Sequence, residues 1–422
     1  MRRKFVISLI LSFATFSVSL SSQSLKKVDS FKTENRANSF TKLDSNRFVL
    51  VGQKNENWDV LASHKVTFHI FDIREKKLQS VVPPIADYAQ NNLGIFFDGN
   101  PVVSYPNGKT YIQFRSSLVY YDGNRAGILL RNTSHSDKTR TQERTIYLNW
   151  ELGSNQITWS KAISELNQFE NVDINRGGGV RESKSVLRNL LIPVGIDSNR
   201  QIFYYTIEKE RNEKGWPNSI SVMSFSIGSK SVDEVASLQV EKINDADYSS
   251  PMLAPNSDFS KLGILEYSEL SLKKLVKGHV LDLKKGKVID FPIPVSPYGA
   301  AFDPESQYFL VLSNETGKLV KTNLTTLEQQ TMDSIHGARY LVFSNTGKYL
   351  FAFAHGGTIE VRAVPSLMVV KSIQVSSLHT DQAAWEPGGS VFTSNGLWAT
   401  IPESDAISQL GKSGLHLFEI EE

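Results

Sequence analysis

Hydrophobic residues occur along this chain in short runs, and a short sequence motif of similar composition recurs beside several of them. An apolar or aromatic residue stands close to a pair of polar or proline residues, followed by a turn and another apolar run. Four copies are clear in the second half: Leu253-Ala-Pro-Asn, Phe302-Asp-Pro-Glu, Phe343-Ser-Asn-Thr and Trp385-Glu-Pro-Gly. Their third residues are 49, 41 and 42 positions apart. A period near 40 with strands in each repeat predicts the blades of a β-propeller.

Most of the apolar segments have the composition of strands. They are short, rich in β-branched and aromatic residues, and bounded by Gly, Asn, Asp or Ser. Strands are predicted at 47–51, 66–73, 110–114, 145–150, 201–207, 219–227, 308–312, 349–353 and 358–364. Segment 66–70 alternates apolar and polar residues, which predicts one buried face. Short helices are predicted only at 161–169 and 404–410, so the predicted fold class is all-β.

Placing the repeats in register gives seven units of about four antiparallel strands each. They predict a seven-bladed propeller that forms a single domain at 25–422. The predicted blades are 40–85, 97–165, 180–243, 246–293, 295–333, 336–375 and 379–422. The first three contain the polar segments 54–63, 131–144 and 209–218, interpreted as insertions between strands. Insertions in repeat arrays usually map to one face, which makes these segments candidates for contacts.

The last predicted unit ends after its third strand, because only Glu421 and Glu422 follow the apolar segment 415–420. A sheet without its outer strand would have an exposed edge, which promotes aggregation. Residues 25–32 are therefore predicted to supply the fourth strand and close the ring.

The predicted third strands share a second pattern, an alternating strand that ends in an aromatic residue, Leu or Thr followed by Asp, Asn or Glu. The copies are His69-Ile-Phe-Asp72-Ile, His279-Val-Leu-Asp282-Leu, Val320-Lys-Thr-Asn323-Leu and His416-Leu-Phe-Glu419-Ile. This pattern resembles the third strand of the WD-repeat family and its bacterial YVTN-type relatives, in units one and four to seven. The chain departs from the WD pattern because Trp58-Asp59 falls in a predicted loop instead. The resemblance implies a propeller of four-stranded blades.

The N-terminus has the composition of a secretory signal peptide, predicted at 1–24. Arg2, Arg3 and Lys4 precede the apolar stretch 5–20 and a run of small polar residues. An uncleaved membrane anchor is the alternative. Export would place the mature chain in the periplasm, at the cell surface or outside the cell. No later segment is apolar for long enough to cross a bilayer.

Cysteine content, charge balance and hydrophobic content limit the classes of protein to which this chain can belong. The chain has no cysteine, which excludes disulfides and thiolate metal sites. Its 46 Lys and Arg nearly balance its 44 Asp and Glu, and no basic stripe stands out, so nucleic acid is not an expected partner. With 40% hydrophobic residues, the chain can form the core of one large repeat domain or of two ordinary ones without disulfides. We expect a monomer.

The candidate site lies where the chain enters the innermost strands. His336 and His379 precede Phe343 and Trp385 by seven and six residues, which puts both near one mouth of the channel. The resemblance implies an alternative role, since WD repeats commonly carry a structural His there that bonds within its own blade. Other candidates at this register are Asp98, Arg181, Glu182, Asp247, Tyr248, Tyr298, Arg339 and Asp381. Together they predict a polar rim around a central ligand-binding pocket, although any propeller mouth is polar because water fills it.

Catalytic motifs are missing from the sequence. There is no G-x-S-x-G nucleophile motif. The Gly-Lys pairs lie in predicted hairpins and lack the other residues of a phosphate loop, and Gly177-Gly178-Gly179 precedes a strand instead of opening a helix.

These observations favour an exported, non-enzymatic module that binds protein partners or acts as a scaffold in the cell envelope, without a cofactor. Two alternatives remain open. One is an enzyme resembling the propeller lactonases, with Ca²⁺ or another divalent metal held in the channel by Asp247, His336, His379 and Asp381. The other is a surface adhesin or a structural component of the envelope.

Overall fold

The fold is described by a computed structural model of the chain. The described residues are 24–33, 36–42, 47–53, 66–72, 74–93, 102–105, 108–137, 140–169, 191–209, 217–240, 248–268, 276–295, 297–313, 316–344, 346–354, 358–374, 391–392, 397–400 and 413–421. These residues form seven antiparallel sheets, six with four strands and one with five. The predicted all-β class is confirmed. The predicted signal peptide lies outside the described residues except for Ser24, as does the helix predicted at 404–410.

The N-terminal half of the chain contributes three sheets and one helix. Sheet 1 contains β2 (Arg36–Lys42), β3 (Arg47–Gln53), β4 (Val66–Asp72) and β5 (Lys77–Val81), and helix α1 (Ile85–Leu93) follows it. Sheet 2 contains β6 (Val102–Tyr105), β7 (Gly108–Tyr121), β8 (Arg125–Asp137), β9 (Arg140–Glu151) and β10 (Gln156–Phe169). Sheet 3 contains β11 (Leu191–Asp197), β12 (Ile202–Lys209), β13 (Ser219–Ser226) and β14 (Val232–Gln239).

The next three sheets are shorter and more regular. Sheet 4 contains β15 (Tyr248–Pro255), β16 (Lys261–Ser268), β17 (Val276–Asp282) and β18 (Val288–Ile293). Sheet 5 contains β19 (Gly299–Phe302), β20 (Tyr308–Ser313), β21 (Lys318–Asn323) and β22 (Gln329–Asp333). Sheet 6 contains β23 (Ala338–Phe343), β24 (Tyr349–Ala354), β25 (Thr358–Ala363) and β26 (Val369–Gln374).

Sheet 7 combines strands from the two ends of the chain. Its members are β27 (Val391–Phe392), β28 (Leu397–Thr400), β29 (Ser413–Glu421) and β1 (Ser24–Thr33). Strand β1 pairs antiparallel with β29, from Ser24 opposite Glu421 to Thr33 opposite Ser413. The predicted closure by an N-terminal strand is therefore confirmed.

Inner strands of successive sheets lie side by side, so the sheets follow one another around a common centre. Strand β11 lies next to β15, β15 next to β19, β19 next to β23, and β23 next to β27. In sheet 2 this inner position belongs to β7, which lies next to β2 and β11. The extra strand β6 pairs only with the N-terminal part of β7, Gly108–Tyr111.

Each described boundary between successive sheets, from sheet 1 to sheet 6, contains its own hydrophobic core. The boundary between sheets 1 and 2 also takes in α1, whose Ile85 and Ala89 are buried. The sequence of strand β20 is an unbroken apolar run because both of its faces are buried. Phe309 and Val311 pack toward sheet 4, while Leu310 and Leu312 pack toward sheet 6. A strand that is buried on both faces has no solvent-facing side, so its sequence does not alternate between apolar and polar residues.

Two glycines in sheet 4 make room for aromatic rings. A Cβ on Gly263 would lie 2.4 Å from Cζ of Phe309, and a Cβ on Gly278 would lie 2.6 Å from Cε2 of Phe291. The rings of Phe302 and Phe309 are 4.7 Å apart between centroids. Glycine within a strand is typical of such close approaches.

The antiparallel order puts the connections at two ends of each sheet. The turn end holds the hairpins between first and second strands and between third and fourth strands. The entry end holds the hairpins between second and third strands, together with the segments that lead to the next inner strand.

Hairpins at the turn end explain the motif that recurs in the sequence. Asn256, Asp303 and Ser344 occupy equivalent positions, because the side chain of each accepts a hydrogen bond from the backbone N–H five residues later. The residues three positions later, Phe259, Ser306 and Gly347, all have positive φ. This equivalence shows that the sequence alignment at Leu253 is two residues out of register with the later copies.

The second sequence pattern also ends in a repeated turn. The side-chain oxygens of Asp72, Asp282 and Asn323 each accept two backbone N–H groups of the turn that follows the third strand. Such Asx turns reverse the chain toward the fourth strand.

Several local predictions differ from the structure. The helix predicted at 161–169 is the second half of β10, which pairs with β9 as far as Phe169 opposite Arg140. The polar segment 131–144 belongs to β8 and β9 instead of forming an insertion, apart from two residues outside the described ranges. Segment 66–70 is not buried on one face only, because Phe68, His69 and Ile70 are all buried. Cross-strand pairing overrides local propensity in these places.

Helix α1 is absent from the sequence predictions. Pro83 and Pro84 precede it, and proline is favoured in the first helical turn. The hydroxyl of Tyr88 donates a hydrogen bond to Oγ of Ser160 in β10, 3.0 Å away. No helix in the described part of the chain is long and apolar enough to cross a membrane.

We expect deletion of residues 24–33 to lower the melting temperature by at least about 5 °C and to promote self-association, because β29 becomes an unpaired edge. Scanning calorimetry and size-exclusion chromatography measure both effects. Removal of residues 1–23 alone is the control. An unchanged melting temperature and monomeric elution after deletion of 24–33 would show that β1 is dispensable.

Gly263→Ala should destabilise the fold by about 1–3 kcal/mol, because the added methyl overlaps the Phe309 ring. Gly153→Ala is the matched control, since its Cβ meets nothing within 4 Å. Denaturant unfolding compares the two variants. Equal stabilities would contradict the close packing of Gly263 on Phe309.

Candidate functional site

Four of the predicted site residues lie in described ranges, and all four are at the entry end. Tyr248 begins β15, Tyr298 directly precedes β19, His336 precedes β23, and Arg339 is the second residue of β23. Because β15, β19 and β23 are successive neighbours, these positions follow one another around the same end of the ring. The other predicted residues lie outside the described ranges: Asp98, Arg181, Glu182, Asp247, His379 and Asp381.

Tyr298 offers an exposed aromatic side chain on an anchored backbone. It is 39% exposed, which is high for a large hydrophobic residue. Its backbone N–H donates to the carbonyl oxygen of Leu312 at 2.8 Å, which extends the pairing of β19 with β20 by one residue. The main chain that carries the ring is therefore held by the sheet.

His336 is exposed and lies against the entry-end hairpin of sheet 5. A Cβ at Gly317 would lie 3.2 Å from Nε2 of His336 and 3.0 Å from the carbonyl oxygen of Ser334. Gly317 has a φ of 57°, and its carbonyl oxygen accepts a 2.7 Å hydrogen bond from the Ser334 N–H. The segment that enters β23 is thus packed against the preceding sheet, and the His336 ring covers that hairpin.

Arg339 lies at an irregularity in its strand. Ala338 pairs with Ala354 and Tyr340 with Phe353, so Arg339 is the extra residue of a β-bulge. Similar register shifts occur in β2, β7, β11 and β15 where they pair with their second strands. Bulges bend a strand and redirect side chains, and they are frequent near functional sites.

An ion pair stands at the outer part of the same end. Lys318 at the start of β21 binds the carboxylate of Asp333 at the end of β22. A hydrogen bond from the Lys318 ammonium holds the pKa of Asp333 below its usual range. Both side chains are exposed, so salt screens this attraction.

Buried charges within the sheets were missed by the sequence predictions. In sheet 6, Glu360 and Arg362 are both buried and bonded at 2.7 Å between Oε1 and Nε. Arg362 also donates to the carbonyl oxygens of Leu367 and Asp333, and Ser334 donates to Glu360 at 2.9 Å. This network joins sheet 6 to the end of β22 in sheet 5.

Sheet 4 contains a second buried cluster, built on His279. Its Nε2 is 3.0 Å from Oε1 of Glu266, and its Nδ1 is 2.7 Å from Oδ1 of Asp290. The repeated His-x-x-Asp pattern was the only sequence signal for this position. His69 occupies the same place in sheet 1, where its Nδ1 is 2.8 Å from Oγ of Ser80.

Most of the candidate metal ligands lie outside the described ranges. Among Asp247, His336, His379 and Asp381, only His336 is described, and its ring covers the Gly317 hairpin. In the described residues no group of three or more His, Cys, Asp or Glu side chains is arranged to hold a metal ion. The proposed metal site therefore stays a prediction.

The arrangement provides exposed aromatic and imidazole groups on a rigid base. The main chain of Tyr298 is bonded to sheet 5, and the His336 ring packs against the hairpin of the same sheet. Rigid scaffolds that present polar and aromatic groups at loop ends are typical of binding sites.

Comparison with solved structures supports the propeller architecture. The chain is similar to a chain in "Crystal Structure of Mitotic Checkpoint Complex", with a TM-score of 0.52 and 11% sequence identity. The match covers 100% of this chain and 99% of that chain. At this identity the similarity shows the fold alone, which is a WD40-like β-propeller. No family model matches the sequence, and no curated protein matches it.

Arg362→Met should destabilise the fold by about 3–5 kcal/mol, because it leaves the buried Glu360 carboxylate without its cation. The double variant Glu360→Leu/Arg362→Met should recover most of that loss. Lys318→Met removes the cation from the exposed pair with Asp333 and should have little effect. Urea unfolding measures all three. If Arg362→Met is no less stable than Lys318→Met, Glu360 and Arg362 are not a buried, coupled ion pair.

Proposed function

We propose that this protein is a non-enzymatic binding module, exported to the cell envelope or beyond, that holds a protein partner at the entry end of its propeller. The observation that carries the proposal is the succession of Tyr248, Tyr298, His336 and Arg339 at the starts of three neighbouring inner strands. Aromatic residues and Arg are enriched among the residues that dominate binding energy in protein interfaces.

The difference between the two ends of the sheets supports this choice of surface. Several hairpins at the turn end repeat the same hydrogen bonds, as at Asn256, Asp303 and Ser344. The segments at the entry end differ in length and sequence from one sheet to the next. A repeated framework with variable segments at one end is how a common scaffold acquires a specific surface.

Export rests on the charged and apolar composition of residues 1–24. Within that proposal, a periplasmic scaffold and a surface adhesin differ in accessibility. Protease added to intact cells should leave a periplasmic protein whole, whereas cleavage would favour the adhesin.

Crosslinked pull-down from the native envelope fraction tests the binding surface. We expect Tyr298→Ala/His336→Ala to reduce recovery of the specific partner by at least about tenfold, because each side chain is exposed at the proposed interface. Glu305→Ala/Gln307→Ala, at exposed positions of the turn end, is the matched control and should retain the partner.

Two outcomes would overturn the proposal. Equal recovery by both double variants would move the interface away from the entry end. Bound divalent metal in the purified protein, together with hydrolytic activity that a chelator abolishes, would favour the lactonase-like alternative.

A further inference from the structure

The His279 cluster has a geometry that depends on protonation. Both ring nitrogens lie within hydrogen-bond distance of carboxylates, Nε2 at 3.0 Å from Glu266 and Nδ1 at 2.7 Å from Asp290. A neutral imidazole has one donor and one acceptor, whereas an ionised carboxylate only accepts. Both bonds can therefore form together only when the ring carries two protons, or when a carboxyl group carries the second one.

His279 lies at the boundary between two sheets. It alternates along β17 with residues of the opposite face, on the same side as Leu281, which packs in the core between sheets 3 and 4. Its side chain is 3% exposed and that of Glu266 is 6% exposed, while Asp290 is 54% exposed. The cluster thus extends from the surface into the boundary.

The charged groups around the ring come from both sheets. Glu266, Asp290 and Lys277 belong to sheet 4, with Lys277 Nζ 3.8 Å from Asp290 Oδ2. From sheet 3, the buried Glu208 is on the face of β12 that Tyr204 presents to sheet 4.

Burial by itself lowers the pKa of His279, but the hydrogen bonds and charges of Glu266 and Asp290 together outweigh it and raise the pKa above its usual range. A raised pKa means that the stabilisation is complete below the pKa of an unfolded His, about 6.5. It is lost as the pH rises through the folded-state pKa.

Sheet 6 also contains a buried carboxylate, but its partner is a cation that does not titrate. Its buried carboxylate, Glu360, pairs with Arg362, which stays charged at every pH that the fold experiences. Glu360 occupies the third-strand position of sheet 6 that His279 occupies in sheet 4, since each faces the middle of its second strand. The buried carboxylate of sheet 6 is therefore paired with a permanent cation, whereas that of sheet 4 is paired with an imidazole that can lose its charge.

We propose that His279 is a proton-operated lock within sheet 4, on the face that packs against sheet 3. With the ring doubly protonated, the lock holds β16, β17 and β18 together through Glu266 and Asp290. When the ring loses one proton, one hydrogen bond is lost and the Glu266 carboxylate stays buried beside a neutral ring. The strands of sheet 4 then separate more often, and water reaches the face of the sheet that packs against sheet 3.

Hydrogen exchange of the full-length protein, followed by mass spectrometry from about pH 6 to about pH 9 and corrected for intrinsic rates, tests the lock. We expect exchange in 261–268 and 276–282 to become about ten- to a hundredfold faster over this range. Exchange in 349–354 and 358–363 of sheet 6 is the internal reference and should not change.

His279→Gln should remove the pH dependence in sheet 4, and His69→Gln, at the matching position in sheet 1, should leave it intact. Asp290→Asn, at a half-exposed position that is expected to tolerate the change, should shift the transition to lower pH. Constant exchange in wild-type sheet 4 relative to sheet 6 would overturn the proposal. So would a pH dependence that persists unchanged in His279→Gln or in Asp290→Asn.

Discussion

Burial of both faces of a sheet is the constraint on which the rest of this fold depends. The second strands show it most clearly, since Phe309 and Leu310 are adjacent in sequence and pack in two different cores. In this setting most central positions of a strand are apolar, and neighbouring side chains must match them in volume. Gly263 and Gly278 are part of that match, because the rings of Phe309 and Phe291 occupy the space that their side chains would need.

The same constraint makes charges between the sheets costly, and the structure satisfies them with specific partners. Arg362 bonds a carboxylate and two backbone carbonyls, and His279 bonds two carboxylates. These groups are buried within the sheets, whereas hairpins at the turn end are closed by the side chains of Asn256, Asp303 and Ser344. The propeller thus has repeated hairpins at its turn end, polar networks buried within its sheets, and less uniform segments at its entry end.

The sequence predicted the fold class and the position of many strands, because β-branched and aromatic runs between turn residues are a local signal. It also predicted the pairing of the N-terminal strand, from the missing fourth strand of the last unit. Helix α1 was missed although Pro83, Pro84 and the spacing of Ile85, Tyr88 and Ala89 were a usable signal. For the candidate site, the repeat register places Tyr298 and His336 at the same end of neighbouring sheets, and the structure has them there. The meeting of Glu266, His279 and Asp290 depends instead on pairing between distant strands. No local pattern contains that information.

The pairing of β1 with β29 affects when the ring can close during synthesis and folding of the chain. Residues 24–33 are synthesised early, yet their partner strand comes nearly four hundred residues later. Until then β1 has no partner in sheet 7, and any of the other sheets that have already formed can make only an open arc with its two terminal faces exposed to water. If the chain is exported unfolded, the arc can close only after the last segment has crossed, so the completed ring is a product of the destination compartment.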